Sequence, residues 1–124
     1  MAREIETKCL HLEEEEGCCN NYGSISYPIY QTATYAHEGV GRSTGFDYSR
    51  LQNPTREHLE KVVASLENGI DALAFSSGMA AISLLMEIFK PGDHLIADAD
   101  LYGGSIRLFD HVSSKNGISF SRVD

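Results

Sequence analysis

The chain contains no run of about eighteen consecutive apolar residues, so a membrane-spanning helix is not expected. The start, Met1-Ala2-Arg3-Glu4-Ile5-Glu6, lacks the apolar core of a secretory signal. Cysteine is scarce: Cys9, Cys18 and the adjacent Cys19 are the only three. They do not make a disulfide framework, and a reducing, cytoplasmic setting is expected. Cys9, His11, Cys18 and Cys19 carry metal-binding atoms, but the C-x-H…C-C spacing fits no zinc template and adjacent cysteines chelate one ion awkwardly. No metal site is assigned. Basic residues are also few, ten against eighteen acidic ones for a net charge of −8. That balance argues against nucleic acid or an anionic membrane as a general partner, while leaving room for one local basic site. The G-x-x-x-x-G-K-S/T pattern of a P-loop is absent, as is the G-x-S-x-G elbow of a serine hydrolase.

What is present amounts to one domain's worth of chain, 124 residues, with enough apolar content for a modest core. Its centre is Phe75-Ser76-Ser77-Gly78-Met79-Ala80-Ala81. An apolar run, Asp71 to Phe75, reads as a strand entering this turn, and Met79 to Phe89 reads as a helix leaving it. A strand, a small-residue turn and a helix start leave several N–H groups unpaired beside the positive end of the helix dipole. Such a turn can cradle a phosphate, with serine hydroxyls as further donors and Gly78 allowing close approach. Serine-glycine turns before helices are also common as plain connectors, and the seven residues alone leave both readings open.

Around this turn the chain alternates between elements. Residues 1 to 27 read as polar and irregular, with the acidic run Glu13 to Glu16 as a solvated face or arm. Ser26 to Tyr35 is extended by composition, with Pro28 barring a central ladder position. Gly39 to Gly45 reads as a loop. Tyr48 and Arg50 flank Ser49, so an extended backbone would project both to one side, a phenol and a guanidinium suited to a phosphate dianion. An exposed arginine beside a packed tyrosine fits the same spacing. Asn53 and Pro54 give a helix N-cap and first position; Leu59, Val62, Val63 and Leu66 give its apolar face, and Gly69 its left-handed cap. His58, one position before that stripe, reads as a solvated or packed histidine.

Beyond the central turn, Lys90-Pro91-Gly92-Asp93 turns the chain into a short buried strand, His94 to Ala97. Asp98 to Ser105 is the exit from that strand, carrying Tyr102 followed by Gly103-Gly104. A tyrosine there can lie flat on a planar ligand or simply anchor its loop. Ile106, Phe109 and Val112 then mark a helix face, Asn116-Gly117 closes it, and Ile118 to Val123 alternates as a strand. Strand-helix alternation predicts an α/β fold with a mostly parallel sheet and ligands at the carboxyl ends of its strands.

Four segments, Tyr48-Ser49-Arg50-Leu51-Gln52-Asn53-Pro54-Thr55, Phe75 to Ala81, Pro91-Gly92-Asp93-His94 and Asp100-Leu101-Tyr102-Gly103-Gly104-Ser105, resemble in order and spacing the N-terminal part of the Cys/Met-metabolism family of pyridoxal-phosphate enzymes. That family includes cystathionine gamma-synthase, cystathionine beta- and gamma-lyases and methionine gamma-lyase. The resemblance runs from about Pro28 to the end of the chain. It implies an N-terminal arm and loop over residues 1–47 and, over 48–124, the beginning of the large, mostly parallel-sheet cofactor domain of a fold-type I enzyme. It implies pyridoxal 5'-phosphate as cofactor, with Ser77, Gly78 and Met79 at its phosphate and Tyr48 and Arg50 completing that site in an adjacent subunit. Tyr102 would stack on the cofactor ring and take part in proton transfer.

The implied reaction is elimination or gamma-replacement on a sulfur amino acid or activated homoserine, in methionine and cysteine metabolism and transsulfuration. The implied assembly is a homo-oligomer, a dimer of dimers sharing active sites. Tyr102 to Phe109 looks closest to cystathionine gamma-synthase and related lyases, since methionine gamma-lyases commonly carry a cysteine where Gly104 stands. The family's Schiff-base lysine and pyridine-nitrogen acid have no match: Lys8, Lys61, Lys90 and Lys115 lie outside the family's lysine motif. The chain is therefore expected to be an N-terminal fragment of a longer enzyme, inactive and prone to association by itself. The competing expectation is a non-catalytic oligomerisation or phosphate-binding module derived from the family.

Overall fold

A computed structural model describes residues 4–10 and 24–124. The acidic run Glu13 to Glu16 and His11, Cys18 and Cys19 lie outside the described residues. The chain divides into two compact units, residues 1–74 and 75–124.

In the first unit, α1 spans Ile5–Leu10 and α2 spans Pro54–Leu66. The helix α1 departs from the irregular segment expected for residues 1 to 27. The N-terminus of α2 forms as its sequence dictates: Asn53 is the N-cap, its side-chain oxygen accepting from Thr55 N, and Pro54 opens the first turn. The same two polar residues hold the extended arm. Asn53 Nδ2 donates to Tyr30 O at 3.1 Å, Tyr30 N donates to Thr55 Oγ1 at 2.8 Å, and Thr55 Oγ1 donates to Pro28 O at 3.2 Å. A single antiparallel bridge joins Thr34 to Tyr48.

Three details of this unit differ from expectation. The buried face of α2 is Pro54, Val62 and Ala64, while Leu59 and Val63 are exposed. Asn68, not Gly69, takes the left-handed conformation after the helix, at φ 54°; asparagine tolerates that region through local side-chain bonding. Residues 71–75 have no ladder partner among the described residues and do not form a strand.

The second unit runs α3 (Gly78–Met86), β1 (His94–Asp98), α4 (Gly103–His111), a 3₁₀ turn (Ser113–Asn116) and β2 (Ser119–Val123). The strands pair in parallel with His94 opposite Ser119 and Asp98 opposite Val123, α4 supplying the crossover. This is the α/β arrangement with a parallel sheet that strand-helix alternation predicts. Met86, Phe109 and Ile118 are its buried centre, and Phe109 stacks on Phe120 with ring centroids 4.8 Å apart. Leu95 and Ala97 pack against that centre, whereas Ile96, pointing the other way, is 65% exposed. So β1 is covered on one face, not buried on both as its composition suggests.

The helix α3 stops at Met86, short of the expected Phe89, and continues as i→i+3 bonds from Glu87, Ile88 and Phe89 that tighten its end. The inner face of α4 is Ser105 and Phe109; Val112 is its half-exposed C-cap. Gly117, at φ 82°, ends the 3₁₀ turn, and its carbonyl accepts from Gly92 N at 2.8 Å, which ties the two β-strand entries together.

Candidate functional site

The cofactor turn expected at Ser77–Met79 is built by the start of α3. Ser77 is the N-cap: its Oγ accepts from Ala80 N at 3.2 Å, and its hydroxyl proton remains available to a ligand. Ala80 N and Ala81 N also point to Ser77 O. Among the described residues, the N–H groups of Gly78 and Met79 meet no acceptor. Ser76, Ser77 and Gly78 are exposed, and a Cβ added to Gly78 would meet nothing within 4 Å. Two free backbone donors, a capping hydroxyl and the positive end of a helix dipole thus face open space.

Tyr102 occupies the N-cap position of α4, after β1, with its side chain 73% exposed. Its ring lies over Gly104: a Cβ built there would fall 2.5 Å from Tyr102 Cε1 and 3.1 Å from Met79 Sδ. Ser105 Oγ is 3.8 Å from the same sulfur. The second unit therefore brings Tyr102 and Met79 together around Gly104, beside the free donors of α3.

Tyr48 and Arg50 belong to the first unit. Their segment is a turn, with Leu51 N and Gln52 N both donating to Tyr48 O at 2.9 and 3.0 Å, and not the extended piece expected. The shared side survives: the Arg50 guanidinium sits 4.9 Å above the Tyr48 ring. Ser49 faces the opposite way, its Oγ donating to Thr32 O and accepting from Asn53 Nδ2. Arg50 is exposed and has no carboxylate partner among the described residues. An unpaired guanidinium braced on an aromatic face suits an anion.

Sequence reasoning missed Arg56 and Glu60, whose i,i+4 spacing on α2 was the available signal. Arg56 donates to the carbonyls of Ser49, Arg50 and Leu51 at 3.3, 3.5 and 2.5 Å. Its Nε is 3.6 Å from Glu60 Oε1, which also accepts from Ala74 N at 2.8 Å. His58 proves to be packed: its ring stacks on Tyr27 with centroids 3.9 Å apart. Partial burial, with the nearby charge of Lys61 adding to it, pushes its pKa below 6.5. Two concavities of the first unit, each about 670 Å³, contain none of the expected cofactor residues. The donors at the start of α3 and, in the first unit, the Arg50 guanidinium lie instead on open surfaces, and each is of a kind that suits a phosphate ester. No group of three or more metal-ligating side chains occurs among the described residues, and none of the described helices is long and apolar enough to cross a membrane.

Free donors at a helix start, on a parallel α/β frame with a tyrosine beside them, suit a phosphate-bearing cofactor, and residues 6–124 match the model of the family described as Cys/Met metabolism PLP-dependent enzyme. The chain belongs to that family, and the family's cofactor is pyridoxal phosphate. Among particular relatives, the chain is 48% identical over 124 residues to cystathionine gamma-synthase/O-acetylhomoserine (thiol)-lyase of Bacillus subtilis (strain 168), covering 100% of this chain and 33% of the relative. It is also 48% identical over 102 residues to cystathionine beta-lyase of Lactococcus lactis subsp. cremoris (strain MG1363), covering 82% of this chain and 27% of the relative. A crystal structure of cystathionine gamma synthase from Xanthomonas oryzae pv. oryzae, in complex with aminoacrylate and cysteine, superposes with a TM-score of 0.86 at 31% identity, over 100% of this chain and 32% of the other. The chain spans about a third of the length of the curated relatives it matches. A gamma-synthase/thiol-lyase and a beta-lyase reach the same percentage identity over different spans, so identity alone does not separate their reactions.

Proposed function

We propose that the protein to which this chain belongs carries out elimination or gamma-replacement on a sulfur amino acid or activated homoserine, as a cystathionine gamma-synthase/lyase-type enzyme. The observation that carries the reading is the start of α3, where the N–H groups of Gly78 and Met79 meet no acceptor among the described residues and, with the Ser77 hydroxyl, can receive an anion. In this reading those groups hold the phosphate of pyridoxal 5'-phosphate. Tyr48 and Arg50 complete the phosphate site of an adjacent subunit, within a homo-oligomer that is a dimer of dimers. Residues 1–47 serve as the inter-subunit arm, and 48–124 begin the cofactor domain.

Bound pyridoxal phosphate supplies an electron sink for negative charge developing at the substrate α-carbon. The Tyr102 ring, held over Gly104, would stack on the cofactor ring, and its hydroxyl would move a proton. None of Lys8, Lys61, Lys90 or Lys115 is assigned a part. The 124 residues by themselves are proposed to hold the cofactor weakly and to turn nothing over; the whole protein works as a cytoplasmic enzyme of methionine and cysteine metabolism.

The test uses the native protein. Its native mass is measured, pyridoxal phosphate is titrated by absorbance, and products are followed from cysteine with O-acetylhomoserine and from cystathionine. Cofactor-dependent formation or cleavage of cystathionine is expected, from an assembly heavier than one subunit. Absence of cofactor uptake, with both substrates untouched, would overturn the reading; a monomeric native mass would remove the shared site.

A further inference from the structure

We propose that Arg56, with Glu60 behind it, is a positioning residue of the phosphate site, acting through Arg50. The proposal rests on the reading of Arg50 and Tyr48 as phosphate ligands and goes on to what fixes them in place. Arg56 donates to Ser49 O and to Arg50 O, at 3.3 and 3.5 Å. Those carbonyls belong to the two peptide units on either side of the Arg50 Cα, so one guanidinium restrains both planes that set where the Arg50 side chain leaves the backbone. A third bond, 2.5 Å to Leu51 O, closes the turn. Three converging carbonyls call for a planar fork of several donors, which arginine has and lysine lacks.

Glu60 fixes the fork from the other side. Its side chain is only 15% exposed, against 34% for Arg56, and its Oε1 lies 3.6 Å from Arg56 Nε. The same oxygen accepts from Ala74 N at 2.8 Å. Ala74 immediately precedes Phe75-Ser76-Ser77 in the chain. One turn of α2 thus restrains the backbone at Ser49–Leu51 and at Ala74. Arg50 spends no side-chain donor on this bracing, because Arg56 grips its main chain, and the guanidinium of Arg50 stays free for an anion. Without the brace, the Tyr48–Leu51 turn would retain its own two i→i+3 and i→i+4 bonds while Arg50 sampled several directions. The expected loss is therefore in affinity for the phosphate group, with the fold intact.

The native protein is freed of cofactor, and dissociation constants are measured by fluorescence titration for two probes, pyridoxal 5'-phosphate and pyridoxal, which lacks the phosphate. Arg56→Gln is expected to weaken pyridoxal phosphate binding roughly tenfold and to change pyridoxal binding less than about twofold. Combining it with Arg50→Ala is expected to add almost nothing to the loss from Arg50→Ala alone, since the brace acts through that side chain. Arg56→Lys, which keeps the charge and one donor direction, should fall between wild type and Arg56→Gln and guards against a variant that does not fold. Glu60→Gln, which keeps an oxygen for Ala74 N but loses the charge facing Arg56 Nε, should fall between wild type and Glu60→Ala. Equal losses for the two probes, or losses that add fully in the double variant, would overturn the proposal. If Arg50→Ala itself leaves pyridoxal phosphate affinity unchanged, the phosphate reading fails and the positioning role fails with it.

Discussion

Replacing Gly104 with alanine tests how the Tyr102 ring is placed. A Cβ at position 104 would lie 2.5 Å from Tyr102 Cε1, 3.0 Å from Cδ1 and 3.1 Å from Met79 Sδ. Non-bonded carbons settle at about 3.5 Å or beyond, so the ring must retreat by roughly 1 Å. Because Tyr102 is 73% exposed, it can swing outward without disturbing the core of Met86, Phe109 and Ile118. The stability cost should then stay near the surface range, about 0.5 kcal/mol, with a few tenths returned by placing alanine inside a helix. Function should respond far more. A ring stacked on a planar partner contributes about 0.5–1.5 kcal/mol beyond its buried area, and a catalytic group misplaced by about 1 Å can cost about a hundredfold in rate. Thermal unfolding, cofactor titration and steady-state turnover of the native protein, wild type against Gly104→Ala, separate these effects. A melting temperature within about 2 °C of wild type with turnover down by tenfold or more is expected. Unchanged turnover would mean that the ring's position over Gly104 has no part in the chemistry. A large loss of stability would mean that Gly104 serves packing instead.

Tyr102→Phe keeps the ring and removes the hydroxyl, so cofactor affinity should hold while turnover falls; full activity would eliminate the proton-transfer role. Ser77→Ala removes the cap on Ala80 N, and differential scanning calorimetry should register a loss of about 1 kcal/mol, with Ser77→Gly losing less. The depressed pKa of His58 makes the folded state bind fewer protons than the unfolded chain just below pH 6.5. Stability should therefore fall as the pH drops through 6.5 and level off once the folded-state histidine also protonates, and denaturant titrations of His58→Gln should lack this step. A step of the same size in the variant would assign it to other groups.

Local rules carried as far as local interactions do. Asn53 and Pro54 could be read as a helix start because a cap needs only the next two residues, and Ser77 for the same reason. The cap after α2 was misassigned by one position because two adjacent residues, Asn68 and Gly69, can both turn left-handed, and sequence gives no way to choose. Leu59 and Val63 match the helical period yet are exposed; periodicity reports a stripe, and only the neighbours decide how wide a stripe is covered. Residues 71–75 have strand composition, but a strand exists only where another backbone completes its ladder. The sites divide along the same line. Ser77, Gly78 and Met79 are one contiguous turn, so the helix start they form is legible from order alone. The grip of Arg56 on the Tyr48–Leu51 turn joins residues five to seven apart through main-chain carbonyls, which carry no sequence signature at all.

The clasp between the arm and α2 has a kinetic consequence. All three bonds holding Pro28 and Tyr30 end on Asn53 or Thr55, 23 to 27 residues further on, and these residues sit at the very start of the helix. Helix ends fray first, and the hydrogen bonds at Pro28 and Tyr30 go with that fraying, leaving the Tyr27–His58 ring stack further along α2. The Pro28–Tyr30 stretch of the arm and the first turn of α2 should consequently open as one event: the Tyr30 amide, bonded to Thr55 Oγ1, should exchange with solvent deuterium at the same rate as the Glu57 amide, bonded to Asn53 O. The arm is then a latch whose release is set by a helix terminus, and its reach toward any neighbour is governed from that end of α2.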